Sequence, residues 1–175
     1  LKAALDASVL TELLAPDAGS DTKESPYRQK VRALGDLLAR QKATIIIPTP
    51  VIAEVLVATG QDGALRLEML QKKLAFRVVS FDQRAAFETA SMMRAARDAG
   101  DKRAGRGKDE SWQQVKFDWQ IIATSKVNQA DVVYTNDEKF HKFSNEQGMK
   151  SIYLDEYKLS DSDPQLSLFQ PLHPK

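Results

Sequence analysis

The sequence predicts an α/β fold of three layers, α/β/α, in which a parallel sheet carries helices on both faces. Three observations carry this prediction. Short β-branched and aromatic runs alternate with longer segments of helical periodicity. The runs Ile45-Ile46-Ile47 and Val132-Val133-Tyr134 do not alternate with polar residues, as befits strands covered on both faces. Carboxylates recur just after the predicted strand ends, where open α/β sheets form their ligand crevices.

A chain of 175 residues, 42% hydrophobic and 28% charged, has the ordinary composition of a soluble globular protein. Residues 1–154 read as one domain and residues 155–175 as a polar, proline-containing C-terminal tail. A net charge of +1 sets up no global attraction to nucleic acid or membrane, so any such attraction is local. With no cysteine there is neither a disulfide framework nor a thiolate metal site, which suits a cytoplasmic protein. No apolar run reaches membrane-spanning length and no charged-then-apolar leader is visible, so no membrane partner is expected.

The elements follow in order. Leu1 to Leu5 is a buried strand that ends at Asp6, and a short helix runs on through Leu14. Ser8 is placed to cap that helix or to brace the Asp6 carboxylate. The Pro-, Asp-, Gly- and Ser-rich stretch from Ala15 to Ser25 is a long connecting loop. Ser25-Pro26 starts a helix to about Gln41, with Val31, Leu34, Leu37 and Leu38 on one face. Ala43 to Ile47 is the second strand. Thr49 is the predicted N-cap of the next helix, in which Glu54 sits among Val51, Ile52, Val55 and Leu56. A carboxylate in such company either points to solvent or has a partner that offsets its burial. Gln61 to Lys73 is a further helix, Phe76 to Phe81 the third strand, and Asp82 the cap of a long helix to about Asp98.

Ala99 to Glu110 mixes three glycines with Lys102, Arg103, Arg106 and Lys108, the clearest basic patch in the chain. It reads either as a solvated surface loop or as a phosphate-contacting segment, and with Lys116 it leads into the next helix. That helix is predicted to start near Asp118, with Phe117, Ile121 and Ile122 on its apolar face. Val132 to Thr135 is the fourth strand. Asp137 follows it, then a helix from Glu138 to about Gln147 carrying His141, and a last strand from Ser151 to Leu154.

Each carboxylate alone has a plain structural role: Asp118 can complement a helix dipole, and Asp137 can cap a helix. Together they imply more. The topology lets Asp6, Glu54, Asp118 and Asp137 converge at one sheet edge, where four negative charges repel and favour proton uptake. A hard divalent cation relieves that conflict. Mg²⁺ takes oxygen ligands and keeps waters that a substrate phosphate can replace. Two such ions about 4 Å apart suit in-line phosphodiester cleavage by activated water. There is no glycine-rich phosphate loop and no Ser–His–Asp pattern.

Four short segments resemble the PIN-domain family of nucleases. They are Leu5-Asp6-Ala7-Ser8, Pro50-Val51-Ile52-Ala53-Glu54-Val55, Phe117-Asp118-Trp119-Gln120-Ile121-Ile122-Ala123 and Tyr134-Thr135-Asn136-Asp137. The resemblance spans about Leu1 to Leu154. It implies an endoribonuclease that depends on Mg²⁺ or Mn²⁺ and cuts single-stranded RNA. By that resemblance Asp6, Glu54, Asp118 and Asp137 hold the metal, with Ser8 and Thr135 in support. Many bacterial members are VapC-type toxins that pair with an antitoxin, and many form homodimers. The long loop, the basic segment and the tail depart from compact toxins.

In the tail, Gln165-Leu166-Ser167-Leu168-Phe169 is similar to the bacterial sliding-clamp-binding pentapeptide, in which Leu and Phe fill apolar pockets. Its plain alternative is packing of Leu166, Leu168 and Phe169 on their own domain. Two other functions compete with the nuclease reading. One is a non-catalytic module that binds RNA or protein. The other is a phosphatase with Asp6 as nucleophile, disfavoured because Ser8 stands where such enzymes typically carry a second Asp.

Overall fold

The computed structural model describes residues 1–15, 25–101, 103, 104 and 110–156. These form β1 (Lys2–Leu5), α1 (Ala7–Leu14), α2 (Pro26–Arg40), β2 (Thr44–Pro48), α3 (Thr49–Gln71) and β3 (Phe76–Val79). Then come α4 (Gln83–Asp98), α5 (Trp112–Val127), β4 (Val132–Thr135), α6 (Glu138–Glu146), β5 (Ser151–Tyr153) and a 3₁₀ turn, Leu154–Glu156.

The strands make one all-parallel sheet in the order β3-β2-β1-β4-β5. From β1 the chain first steps outward through β2 and β3, then crosses back to β4 and β5. Right-handed crossovers in opposite directions put helices on both faces, the predicted three-layer arrangement. The reversal falls between β1 and β4, and a sheet of this kind opens its ligand crevice there.

The β1–β4 pairing is pinned at its base. The Lys2 backbone N–H donates to Asp131 Oδ2 at 2.7 Å, and the Asp131 N–H donates to the Lys2 carbonyl at 2.8 Å. This register sets Leu5 beside Tyr134, and the Asp6 N–H donates to the Tyr134 carbonyl at 3.1 Å. Asp6 therefore leaves β1 alongside Thr135. Ala3, Ala4, Ile47, Val133 and Tyr134 are fully enclosed, which explains the unalternating strands. Each buried Val, Leu or Ile contributes about 1.5–3 kcal/mol relative to exposure. Trp119 of α5 meets Phe143 of α6 edge to face, with ring centroids 4.8 Å apart, and so locks the two helices together.

Three expectations need correction. Thr49 is not an N-cap: it is already helical, Pro48 precedes it, and the Thr49 hydroxyl instead accepts the Phe81 N–H at 2.9 Å. The predicted break before Gln61 is a kink within α3, at Gly60, whose φ of 60° glycine adopts without strain. Beyond it Leu67 is buried, but Leu65 and Met69 are exposed. The third correction concerns α5, which starts at Trp112 rather than near Asp118. Ser111 caps it, accepting the Gln114 N–H at 3.1 Å. Among the described residues no helix is long and apolar enough to cross a membrane.

Candidate metal centre

Asp6 is the most constrained acid of the predicted set. As N-cap of α1 its Oδ1 accepts the Val9 N–H at 3.1 Å, and the Ser8 hydroxyl donates to the same oxygen at 2.7 Å. Its Oδ2 accepts a short hydrogen bond from the Thr135 hydroxyl. Of the two readings of Ser8, capping fails, because Asp6 is the cap and Ser8 already lies in the helix; Ser8 instead braces the Asp6 carboxylate. Ser8 Oγ also accepts the Asn136 N–H at 2.8 Å, tying the loop after β4 to the first turn of α1. Asp137 caps α6 by accepting the Phe140 N–H at 2.9 Å, and its own N–H donates to Thr135 Oγ1 at 2.9 Å.

The electrostatics join a third acid to this pair. Asp6 is only 5% exposed, and burial pushes its carboxyl up to about 6. The hydrogen bonds from Thr135, Ser8 and Val9 oppose the shift, and the charge of Asp137 adds to it. Glu54, half-buried on α3, is also raised, first by burial and then by the charges of Asp6 and Asp137. The charge of Asp137 thus reaches both Asp6 and Glu54, and that of Asp6 reaches Glu54.

Asp118 stands differently. It is 7% exposed and lies in the second turn of α5, so a first-turn dipole role does not apply. The charges acting on Glu54 are those of Asp6 and Asp137. Asp118 is carried by α5, which packs against α3, the helix that carries Glu54.

The donor set is carboxylate and hydroxyl oxygen, the chemistry that hard dications select. Among the described residues no group of three or more His, Cys, Asp or Glu side chains is placed to hold a metal ion.

Other predicted residues divide. Arg103 and Lys116 are in place beside the ring of Trp112, at 5.8 and 5.6 Å from its centroid. Lys102, Arg106 and Lys108 lie outside the described residues, as do Gln165, Leu166, Leu168 and Phe169 of the tail. His141 has a packing role: it stacks on Tyr153, and its Nδ1 lies 3.0 Å from Ser151 Oγ. Two residues near the centre escaped the sequence reading. Tyr27, at the start of α2, has its hydroxyl buried; burial, with the charges of Asp6 and Glu12, holds its proton well above the ordinary phenol range. Glu110, 7% exposed, meets Lys139 of α6 at 3.6 Å. Neither offered a signal beyond its residue type, because each is defined by a helix distant in sequence.

Set against known families, this geometry has a clear counterpart: the PIN domain family matches residues 3–146, and the chain belongs to that family. No curated protein matches it by sequence. Among solved structures it is similar to VapBC2 from Rickettsia felis, bound to a DNA fragment from their promoter. That match has TM-score 0.57 and 15% identity, covering 86% of this chain and 97% of that one. It is also similar to VapBC-1 from nontypeable Haemophilus influenzae, with TM-score 0.57 and 10% identity over 89% and 99% of the two chains. A third is DNA-bound VapBC from Salmonella typhimurium, with TM-score 0.54 and 16% identity over 88% and 98%. At these identities the likeness is one of fold.

Proposed function

We propose that the protein is a metal-dependent endoribonuclease that hydrolyses phosphodiester bonds of single-stranded RNA. One observation carries the reading: Asp6 and Asp137 stand just past β1 and β4, where the sheet order reverses, both hydrogen-bonded to Thr135, and the charges of both act on Glu54. Membership of the PIN domain family supports it. Asp6, Glu54 and Asp137 hold Mg²⁺ or Mn²⁺, and Asp118 joins them from α5. When bound, the metal lowers the pKa of attacking water and neutralises charge at the scissile phosphate. Ser8 and Thr135 keep Asp6 in one orientation, so the carboxylate is ready before the ion arrives.

The likeness to VapBC structures supports a toxin paired with an antitoxin, and a homodimer, as further parts of this proposal. Localisation in the cytoplasm goes with that reading. A tail that engages a sliding clamp remains a separate proposal, resting on the Gln165–Phe169 segment alone. A pull-down in which the tail-deleted chain keeps all clamp binding removes it.

The test is cleavage of single-stranded RNA with Mg²⁺ or Mn²⁺, by the wild type and by Asp6→Asn. The wild type cuts, chelator abolishes cutting, and the variant is inert. Equal cleavage by both refutes the site. RNA binding without cleavage, under every metal tried, favours the non-catalytic binding module instead.

A further inference from the structure

The indole of Trp112 has two cations within 6 Å of its ring centroid. Arg103, from the basic segment, has its guanidinium carbon 5.8 Å from the ring centroid. Lys116, one turn along α5 and exposed, brings its ammonium to 5.6 Å. Both distances lie within the range over which an aromatic face attracts a cation. Two otherwise flexible charges are thereby held beside one half-buried aromatic ring.

A second relationship ties this group to the start of α6. Arg103 Nη1 donates to the Glu110 carbonyl at 2.9 Å. The buried Glu110 side chain meets Lys139, two residues after Asp137. The segment before α5 is thus fastened to the first turn of the helix that Asp137 caps. Along α5, Trp112 lies six residues before Asp118, about 9 Å along the helix axis.

An aromatic ring with fixed cations is the pattern by which proteins hold single strands: bases stack on the ring while the cations follow the phosphates. We propose that Trp112 stacks a base of the single-stranded substrate while Arg103 and Lys116 contact the adjoining phosphates. Trp112 is then a substrate-binding residue that sets which nucleotide lies beside the carboxylates. This rests on the nuclease reading above and adds the path of the strand to it. Because every base offers a flat face, the platform favours single strands without demanding a sequence.

The chain has two tryptophans, and Trp119 is fully buried, so an added oligonucleotide reaches only Trp112. Binding is measured with 2′-O-methyl oligouridine in chelator, where no cleavage occurs, by tryptophan emission and by anisotropy of a labelled strand. The wild type loses emission on binding. Trp112→Phe loses that change but keeps its affinity within about 3-fold, since a ring remains. Trp112→Ala binds about 10-fold more weakly or worse. Lys116→Ala flattens the dependence of affinity on salt. An unquenched wild type, with Trp112→Ala binding as tightly, overturns the platform even if RNA is still cut in Mg²⁺. Absence of both binding and cleavage overturns the nuclease reading and the platform with it.

Discussion

The Thr135 hydroxyl donates to Asp6 Oδ2 and accepts the Asp137 N–H at 2.9 Å, so one side chain of β4 orients both acids that flank the switch point. Its single proton is committed to Asp6, which leaves its lone pairs for Asp137. Thr135→Val keeps the shape and removes both bonds. It is expected to cost about 1–3 kcal/mol in urea unfolding and to lower cleavage about 10-fold or more. Thr135→Ser, which restores the hydroxyl, recovers most of both. A Val variant as active as wild type would show that the hydroxyl does not orient the acids.

The raised Asp6 carboxyl makes a directional claim about pH. The unfolded chain releases this proton near 3.8, the folded protein only near about 6. Between those values the folded state holds the extra proton, so metal-free stability falls as pH rises from about 4 to about 6 and then levels off. The loss is on the order of 3 kcal/mol. Asp6→Asn flattens this slope. Thermal unfolding across pH in chelator measures both, and a wild type that gains stability over this interval contradicts the assignment.

If the centre takes a dication as proposed, binding to the ionised carboxylates reverses that trend, and at pH 7 the melting temperature is expected to rise with added Mn²⁺. At 100-fold excess over the dissociation constant the gain is about 2.7 kcal/mol. The same titration of Asp137→Asn shows a smaller rise. Identical curves for the two proteins would remove Asp137 from the centre.

Asp118 separates catalysis from architecture. Asp118→Asn is expected to reduce RNA cleavage about 100-fold while leaving the urea midpoint within about 1 kcal/mol of wild type. A variant that cuts at the wild-type rate places Asp118 among the purely structural residues of α5.

Much of this was legible in the residues. The isoleucine run of β2 and the Val-Val-Tyr run of β4 announced strands buried on both sides. Asp6 and Asp137 were visible as acids just past such runs. Each caps a helix, as the plain reading of such an acid expects. The start of α5 was not legible by periodicity, because Trp112, Gln113 and Gln114 precede its apolar face. The signal was Ser111, whose hydroxyl closes the first turn. The approach of Tyr27 to Asp6, and of Glu110 to Lys139, depends on helices meeting across the fold, which no local pattern encodes.

Whether Asp6, Glu54 and Asp137 share one dication is decided by calorimetric titration with Mn²⁺ at pH 6. In two buffers of different ionisation enthalpy, binding by the wild type should release protons, since Asp6 must ionise to bind. Asp6→Asn, Glu54→Gln and Asp137→Asn should each bind at least about 10-fold more weakly, the first without that release. Three variants that bind Mn²⁺ as the wild type does, with the same proton release, would contradict the account.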